Sequence, residues 1–135
     1  MMLNVIATLV LTFTLIDVDD PAVHGVFAAL LRNARYGCSN QEQAAFLIRD
    51  ARGATFFLRW RGNGELNRAE WDGPLPAGTV AIIHTHPNWL PLPSSRDIRV
   101  ARETAVPVYV ITLTRIARTD GGAPFVVVSR DWSGS

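Results

Sequence analysis

A β-branched run that leads directly into a His-x-His-Pro motif is the feature that most restricts how this chain can fold. Residues 79–83 read TVAII, a pattern typical of a buried strand, and residues 84–87 read HTHP. Side chains two positions apart on a strand point to the same side of the sheet. The sequence therefore predicts that the imidazoles of His84 and His86 lie side by side at the end of a core strand.

Asp97 follows the second histidine by eleven residues and completes a candidate set of metal ligands. Two imidazoles and one carboxylate form a three-ligand zinc site with an open fourth position, which is the arrangement of catalytic rather than structural zinc. The segment SSRD also predicts a capping box with Ser94 as N-cap, so that Asp97 lies in the first turn of a helix over residues 95–104. The two interpretations are compatible, because a helix N-terminus can hold a carboxylate that faces a cation.

Other classes of metal site that use His-x-His require residues that this chain lacks. The third histidine, His24, lies far upstream in a predicted helix, and no histidine follows His86. This argues against the three-histidine site of carbonic anhydrases and against the cupin pattern. The chain has no lysine for an amidohydrolase-type site, and its single cysteine, Cys38, excludes both a deaminase Cys-x-x-Cys pair and an internal disulfide. We expect Cys38 to be a small buried or half-buried side chain.

The remaining pattern, H-x-H-P followed by S-x-x-D, resembles the motif of the JAMM, or MPN-plus (JAB-like), zinc metalloprotease family. His84, His86, Ser94 and Asp97 carry it at the family's spacing, and the resemblance covers roughly residues 20–132. It implies one Zn²⁺ per chain, held by His84, His86 and Asp97. It also implies hydrolysis of an amide or isopeptide bond by water that the metal activates.

The resemblance further implies a general base, a glutamate from an upstream strand. Of the four glutamates, Glu42 opens the apolar run at residues 43–48, where the family places its base. Glu65 lies in a predicted turn, Glu70 lies in a polar stretch, and Glu103 is turned away on the helix that carries the aspartate. We therefore assign Glu42 as the base.

Two further features accompany the same motif, a pair of alanines after Glu42 and a serine before Asp97. The family often has two glycines just after its glutamate, and this chain has Ala44 and Ala45 there. Ser94, three positions before Asp97, is placed to donate a hydrogen bond to the oxyanion that develops during hydrolysis.

The remaining periodicities predict an α/β protein with a mixed sheet. The predicted helices cover residues 21–35 and 95–104, and the predicted strands cover 9–16, 42–49, 54–61, 66–71, 79–83, 106–114 and 125–129. At this length we expect residues 17–135 to form one domain. The resemblance implies a curved mixed sheet flanked by helices, of the cytidine-deaminase-like kind.

Residues 1–16 contain no charged side chain, and their role stays open among three alternatives. They can form a first strand, an export signal or a membrane anchor. A basic start and a small-x-small cleavage site, typical of signal peptides, are lacking, and the run is shorter than the roughly 20 apolar residues of a membrane span. Localisation therefore stays open between the cytoplasm, export and membrane anchoring.

Charge and size restrict the partners. The chain has 13 basic and 12 acidic residues, so it lacks the excess of positive charge that is typical of proteins that bind nucleic acid. The resemblance implies a peptide or a ubiquitin-like protein as substrate, and the compact chain favours a small bacterial-type peptidase. Trp89, in the proline-rich loop after His86, either forms a wall of the substrate groove or packs as an ordinary aromatic. The oligomeric state is open.

Two other functions are compatible with the same residues. The first is a non-catalytic MPN-like scaffold that only binds partners, although degenerate scaffolds lose metal ligands and this chain retains them. The second is a zinc amidase that acts on a small molecule, which the sequence does not distinguish from a peptidase.

Overall fold

The computed structural model describes residues 16–38, 42–61, 74–122, 126–130 and 132–133. Within these ranges the helices are α1 (Pro21–Asn33) and α2 (Ser95–Thr104), and a 3-10 turn, Arg35–Gly37, follows α1. The strands are β1 (Gln43–Arg49), β2 (Thr55–Arg61), β3 (Thr79–Thr85), β4 (Val108–Ile111), β5 (Arg115–Thr119) and β6 (Val126–Arg130). This composition confirms the predicted α/β class.

The strands form one mixed sheet in the order β2-β1-β3-β4-β5-β6. β3 and β4 are parallel, and the other neighbouring strands of this sheet are antiparallel. A parallel pair requires a crossover, and α2 lies within the crossover from β3 to β4. The loop that leaves the carboxyl end of β3 therefore leads into the N-terminus of α2, which brings the histidine motif and Asp97 toward each other.

A helix covers each face of the sheet, as predicted. On one face, Phe27 and Leu30 of α1 pack into a core cluster with Ile83 of β3 and Tyr109 of β4. On the other face, Ala101 of α2 packs in a second cluster whose further buried members are Phe46, Ile48, Ile82 and Val108. Successive residues of β3, Ile82 and Ile83, thus belong to opposite clusters, because strand side chains alternate between the two faces.

Helix α1 begins where the sequence predicts and ends slightly earlier. Asp20 is its N-cap and accepts a hydrogen bond from Ala22 N at 2.8 Å, with Pro21 as the first helical residue. The predicted helix over residues 21–35 stops at Asn33 because the backbone of Arg35, Tyr36 and Gly37 takes positive φ values. That conformation cannot continue a right-handed helix.

The prediction of one strand over residues 106–114 is wrong. The chain instead forms the short strand β4, a turn at Leu113 and Thr114, and the antiparallel strand β5. Thr112 N donates to Arg115 O at 2.9 Å and closes this turn. The turn contains neither glycine nor proline, and the residues around it are mostly β-branched. The sequence therefore contains no signal for the turn, and β5 was not predicted as a separate strand.

Other predictions fall on residues that the structure does not describe, or are corrected by it. The predicted strand at residues 9–16, except for Ile16, and the predicted strand at 66–71 lie outside the described ranges, as does the rest of the apolar N-terminal segment. Cys38 is exposed, so the expectation of a buried or half-buried cysteine is wrong. Among the described helices, neither combines the length and the apolar character that crossing a membrane requires.

Candidate metal centre

The two histidines of the motif lie together at the carboxyl end of β3. Their ring centroids are 4.6 Å apart and the rings are nearly perpendicular, at 84°. His84 is 8% exposed and His86 is 6% exposed, so both imidazoles are largely removed from solvent. Buried imidazoles that contact each other need polar partners, which come from three other segments.

The ring of His86 is held by the loop that follows it. Its Nδ1 lies 2.8 Å from the carbonyl oxygen of Leu90. Because a carbonyl can only accept a hydrogen bond, Nδ1 carries the proton and donates it. In the neutral ring, Nε2 then keeps its lone pair and can coordinate a metal.

Asp97 comes from the first turn of α2 and contacts both rings. Its Oδ1 is 2.9 Å from Nε2 of His84, and its Oδ2 is 3.3 Å from Nε2 of His86. The predicted capping box orients the carboxylate: Ser94 N donates to Oδ2 at 2.7 Å, and Asp97 N donates to Ser94 Oγ at 3.1 Å. The helix start therefore directs Asp97 toward the histidines.

Glu42 reaches the same place from the residue before β1. β1 pairs antiparallel with β3, with Ala44 opposite His84, so the continued register brings Glu42 opposite His86. Its Oε2 is 3.3 Å from Nδ1 of His84, and its Oε1 is 3.9 Å from Nε2 of His86. The side chain is buried, with 7% of the residue exposed.

These four side chains fit a divalent metal ion with nitrogen and oxygen ligands. Glu42, His84 and His86 each offer a ligand atom, and the three atoms lie within 4.8 Å of one another. Ligands at the usual zinc distance in a tetrahedron are about 3.3 Å apart, close to the separations between Asp97 and the two Nε2 atoms. Nε2 of His84 is buried and makes no hydrogen bond to any described residue, although Asp97 is so close. A cation would satisfy that atom.

The charges of the site are strongly coupled without a metal. Burial disfavours the protonated His84 ring, but the adjacent Asp97 carboxylate and that of Glu42 outweigh burial and raise the pKa of His84 to about 10. Burial disfavours the Asp97 anion too, yet attraction to the adjacent His84 ring, the nearby His86 ring and the hydrogen bond from Ser94 N keep the pKa of Asp97 far below its usual range. Without metal, the positive charge of a protonated His84 therefore offsets part of the charge of the two carboxylates, and a coordinated metal would displace that proton.

Other residues from the sequence analysis lie outside this cluster. His24 packs edge-on against Trp132, and its Nε2 is 3.1 Å from Trp132 O, so its ring has a packing role in α1. Glu103 is exposed on α2, and Trp89 is 60% exposed in the loop after His86. Ser94 is exposed beside Asp97.

Two contacts that support the site could not be predicted from the sequence. Buried Thr85, between the two histidines, accepts a hydrogen bond from Gln43 N at 2.9 Å and so holds the backbone next to Glu42. The Leu90 carbonyl that orients His86 was missed as well. No local signal marks either contact, because each depends on how distant or looped segments meet.

Comparison with known proteins agrees with this geometry. The family model for prokaryotic homologs of the JAB domain matches residues 25–127. The chain belongs to this family. Among curated proteins, none matches the chain. The matched JAB-domain range contains Glu42, His84, His86, Ser94 and Asp97, and it agrees with the resemblance expected from the sequence. JAB domains are often metal-dependent hydrolases, although prokaryotic members can also be non-catalytic.

Proposed function

We propose that this JAB domain is a zinc-dependent hydrolase that cleaves an amide bond in a peptide or at the end of a ubiquitin-like protein. The observation that carries the proposal is the buried contact of Asp97 with Nε2 of both His84 and His86, beside a second buried carboxylate. Three candidate ligands and an additional acid in one buried cluster are the groups that metal-dependent hydrolysis requires.

The proposed ligands are His84, His86 and Asp97, and the proposed metal is zinc. Two imidazole nitrogens and one carboxylate oxygen are a ligand set that zinc accepts, and three protein ligands leave a position open for water or substrate. When bound, zinc would supply the Lewis acid that polarises the scissile carbonyl and makes water acidic enough to lose a proton near neutral pH.

The proposed role of Glu42 is proton transfer. It is buried beside the histidines, where its carboxylate can accept a proton from the attacking water and later deliver it to the nitrogen of the departing amine. The hydrogen bond between His84 Nδ1 and Glu42 Oε2, at 3.3 Å, holds the carboxylate in position. Water attack, collapse of the tetrahedral species and amine departure then yield a carboxylate and a free amine.

The proposed role of Ser94 is to stabilise the oxyanion. The capping box uses Ser94 Oγ as an acceptor from Asp97 N, so the cap does not consume the hydroxyl proton. Because Ser94 is exposed and adjacent to the carboxylate ligand, that proton can point toward a substrate at the open side of the site.

Substitution of Ser94 distinguishes this role from capping alone. We expect Ser94→Ala to lower kcat by on the order of a hundredfold or more, with zinc content and KM little changed. Loss of a cap alone would cost about 0.5–2 kcal/mol of folding stability and leave turnover intact. Ser94→Asp caps a helix well but places a negative charge beside the oxyanion, so we expect it to be stable and nearly inactive. Wild-type turnover in a zinc-loaded Ser94→Asp variant would show that Ser94 acts only as the N-cap of α2.

The surface beside the site favours a substrate with apolar side chains. Trp89 and Leu90, two and three positions after the end of the His-x-His-Pro motif, are 60% and 46% exposed. Large exposed apolar side chains next to a catalytic centre are suited to binding, and tryptophan is enriched among residues that dominate interface energies. We propose that Trp89 forms one wall of the substrate groove.

A cleavage assay tests the function directly. The zinc-loaded chain is incubated with a library of extended peptides and with a ubiquitin-like protein in isopeptide linkage, and new amine termini are identified by mass spectrometry. We expect metal-dependent cleavage that a chelator abolishes and added zinc restores. A chain that binds about one zinc but cleaves none of these substrates would favour a binding scaffold, or an amidase for small molecules if simple amides are hydrolysed.

A further inference from the structure

Asn88, two residues after His86, connects three separate segments of the chain. Its backbone N–H donates to Gly37 O at 2.9 Å. Its side-chain Nδ2 donates to Tyr36 O at 2.9 Å, and its Oδ1 accepts from Leu113 N at 2.9 Å. One half-buried side chain thus joins the loop after β3 to the 3-10 turn and to the turn between β4 and β5.

The segment that Asn88 holds is the one that orients His86. Leu90 N donates to Pro87 O at 2.8 Å, which closes a tight turn around Asn88. The same residue, Leu90, supplies the carbonyl that accepts the Nδ1 proton of His86 at 2.8 Å. The position of the Leu90 carbonyl, and with it the direction of His86 Nε2, therefore depends on where this turn sits.

The backbone of the 3-10 turn lets the side chain of Asn88 pack closely against Gly37. Gly37 has φ +79°, and a Cβ at this position would lie 2.0 Å from Oδ1 of Asn88, so only glycine permits the approach. Arg35 and Tyr36 also have positive φ, at 52° and 55°, and such backbone is strained for residues other than glycine. The hydrogen bonds from Asn88 to Tyr36 O and Gly37 O help to offset this strain.

We infer that Asn88 is a positioning residue for the metal ligand His86. By fixing the turn at Pro87–Leu90, it keeps the Leu90 carbonyl where it selects the Nδ1-protonated ring and directs Nε2 toward Asp97, 3.3 Å away. The inference rests on the proposed metal centre. If it holds, the 3-10 turn and the β4–β5 turn, which contribute no proposed ligand, affect metal affinity and ligand geometry through their hydrogen bonds to Asn88.

The test measures metal binding rather than turnover. Zinc affinity is obtained by competition with a chromophoric chelator, and the visible absorption of the cobalt(II)-substituted protein reports ligand geometry. We expect Asn88→Ala to weaken zinc binding by about 10–100-fold, the usual cost of losing a group that orients a metal ligand, and to change the cobalt spectrum. A merely structural role would lower thermal stability and leave both readouts unchanged.

A matched control removes similar hydrogen bonds elsewhere. Asp50 Oδ1 accepts from Arg52 N and Ala54 N, both at 2.9 Å, in the turn between β1 and β2, at the opposite end of β1 from Glu42. We expect Asp50→Ala to reduce stability without affecting zinc affinity or the cobalt spectrum. If Asn88→Ala does not fold, Asn88→Ser replaces it, because its hydroxyl keeps a polar group at this half-buried position but is too short to bridge Tyr36 O and Leu113 N.

A double-mutant cycle with Gly37 tests the mechanism. Gly37→Ala should displace the Asn88 side chain, so we expect it to weaken zinc binding as well, and the double variant should lose less than the product of the two single effects. Independent effects of Gly37→Ala and Asn88→Ala, or wild-type affinity and spectrum in Asn88→Ala, would overturn the inference. Failure of the wild-type chain to bind zinc would instead overturn the proposed metal centre itself.

Discussion

Glu42→Gln is expected to keep its zinc and to lose hydrolysis by a factor on the order of a hundred to ten thousand. Glutamine has the same shape as glutamate, and its amide oxygen can still accept the hydrogen bond from His84 Nδ1, which spans 3.3 Å to Oε2 in the wild type. It cannot take a proton from water. Zinc content by elemental analysis and kcat on a cleaved peptide, measured on the same preparation, check this expectation.

Glu103→Gln is the matched control for this change. It removes one carboxylate from the exposed surface of α2, and we expect zinc content and kcat to stay at wild-type values. The competing role for Glu42 is that of a ligand, because it belongs with His84 and His86 to a group of atoms that can hold a metal. Loss of zinc together with activity in Glu42→Gln would assign Glu42 as a ligand, and full activity would place the base elsewhere.

The parts of the site that sequence analysis could place are those encoded by short-range patterns. β3 is a β-branched run, so the side-by-side arrangement of His84 and His86 follows from the two-residue periodicity of a strand. The start of α2 is a capping box, and its hydrogen bonds fix the Asp97 carboxylate within one turn. These local rules were sufficient because the motif lies at a strand end and a helix start.

The parts that could not be predicted depend on distant segments that meet only in the folded chain. Asn88 bonds to Tyr36 O across 52 positions and to Leu113 N across 25. Thr85 bonds to Gln43 N across 42 positions. Such contacts leave no periodicity in the sequence. The turn before β5 could not be predicted either, because it lies within a β-branched run that is typical of one continuous strand. Glu42 was found from the family's pattern rather than from its own neighbourhood.

Asp97→Ala is expected to reduce bound zinc from about one per chain to a small fraction at micromolar metal. The carboxylate lies between the two Nε2 atoms, 2.9 Å from His84 and 3.3 Å from His86, so its removal leaves two imidazoles and an incomplete site. We expect a loss of zinc affinity larger than the 10–100-fold typical of groups that only orient a ligand. Elemental analysis after gel filtration and a chelator competition assay measure this loss.

Asp97→Asn separates metal binding from helix capping. The asparagine amide oxygen can still accept from Ser94 N, a bond of 2.7 Å in the wild type, so the start of α2 is preserved while the negative charge is lost. We expect nearly wild-type circular dichroism with little bound zinc.

The metal-free variant offers a second, independent readout on the same residue. Burial by itself lowers the pKa of His84, and attraction to Asp97 is the largest effect that raises it to about 10. Without the Asp97 charge, less attraction opposes the lowering of this pKa by burial. An NMR titration of metal-free Asp97→Asn should therefore show a lower pKa for His84 than in the metal-free wild type. Full zinc occupancy in Asp97→Asn, with His84 titrating as in the wild type, would mean that the third ligand lies elsewhere and that Asp97 serves α2 alone.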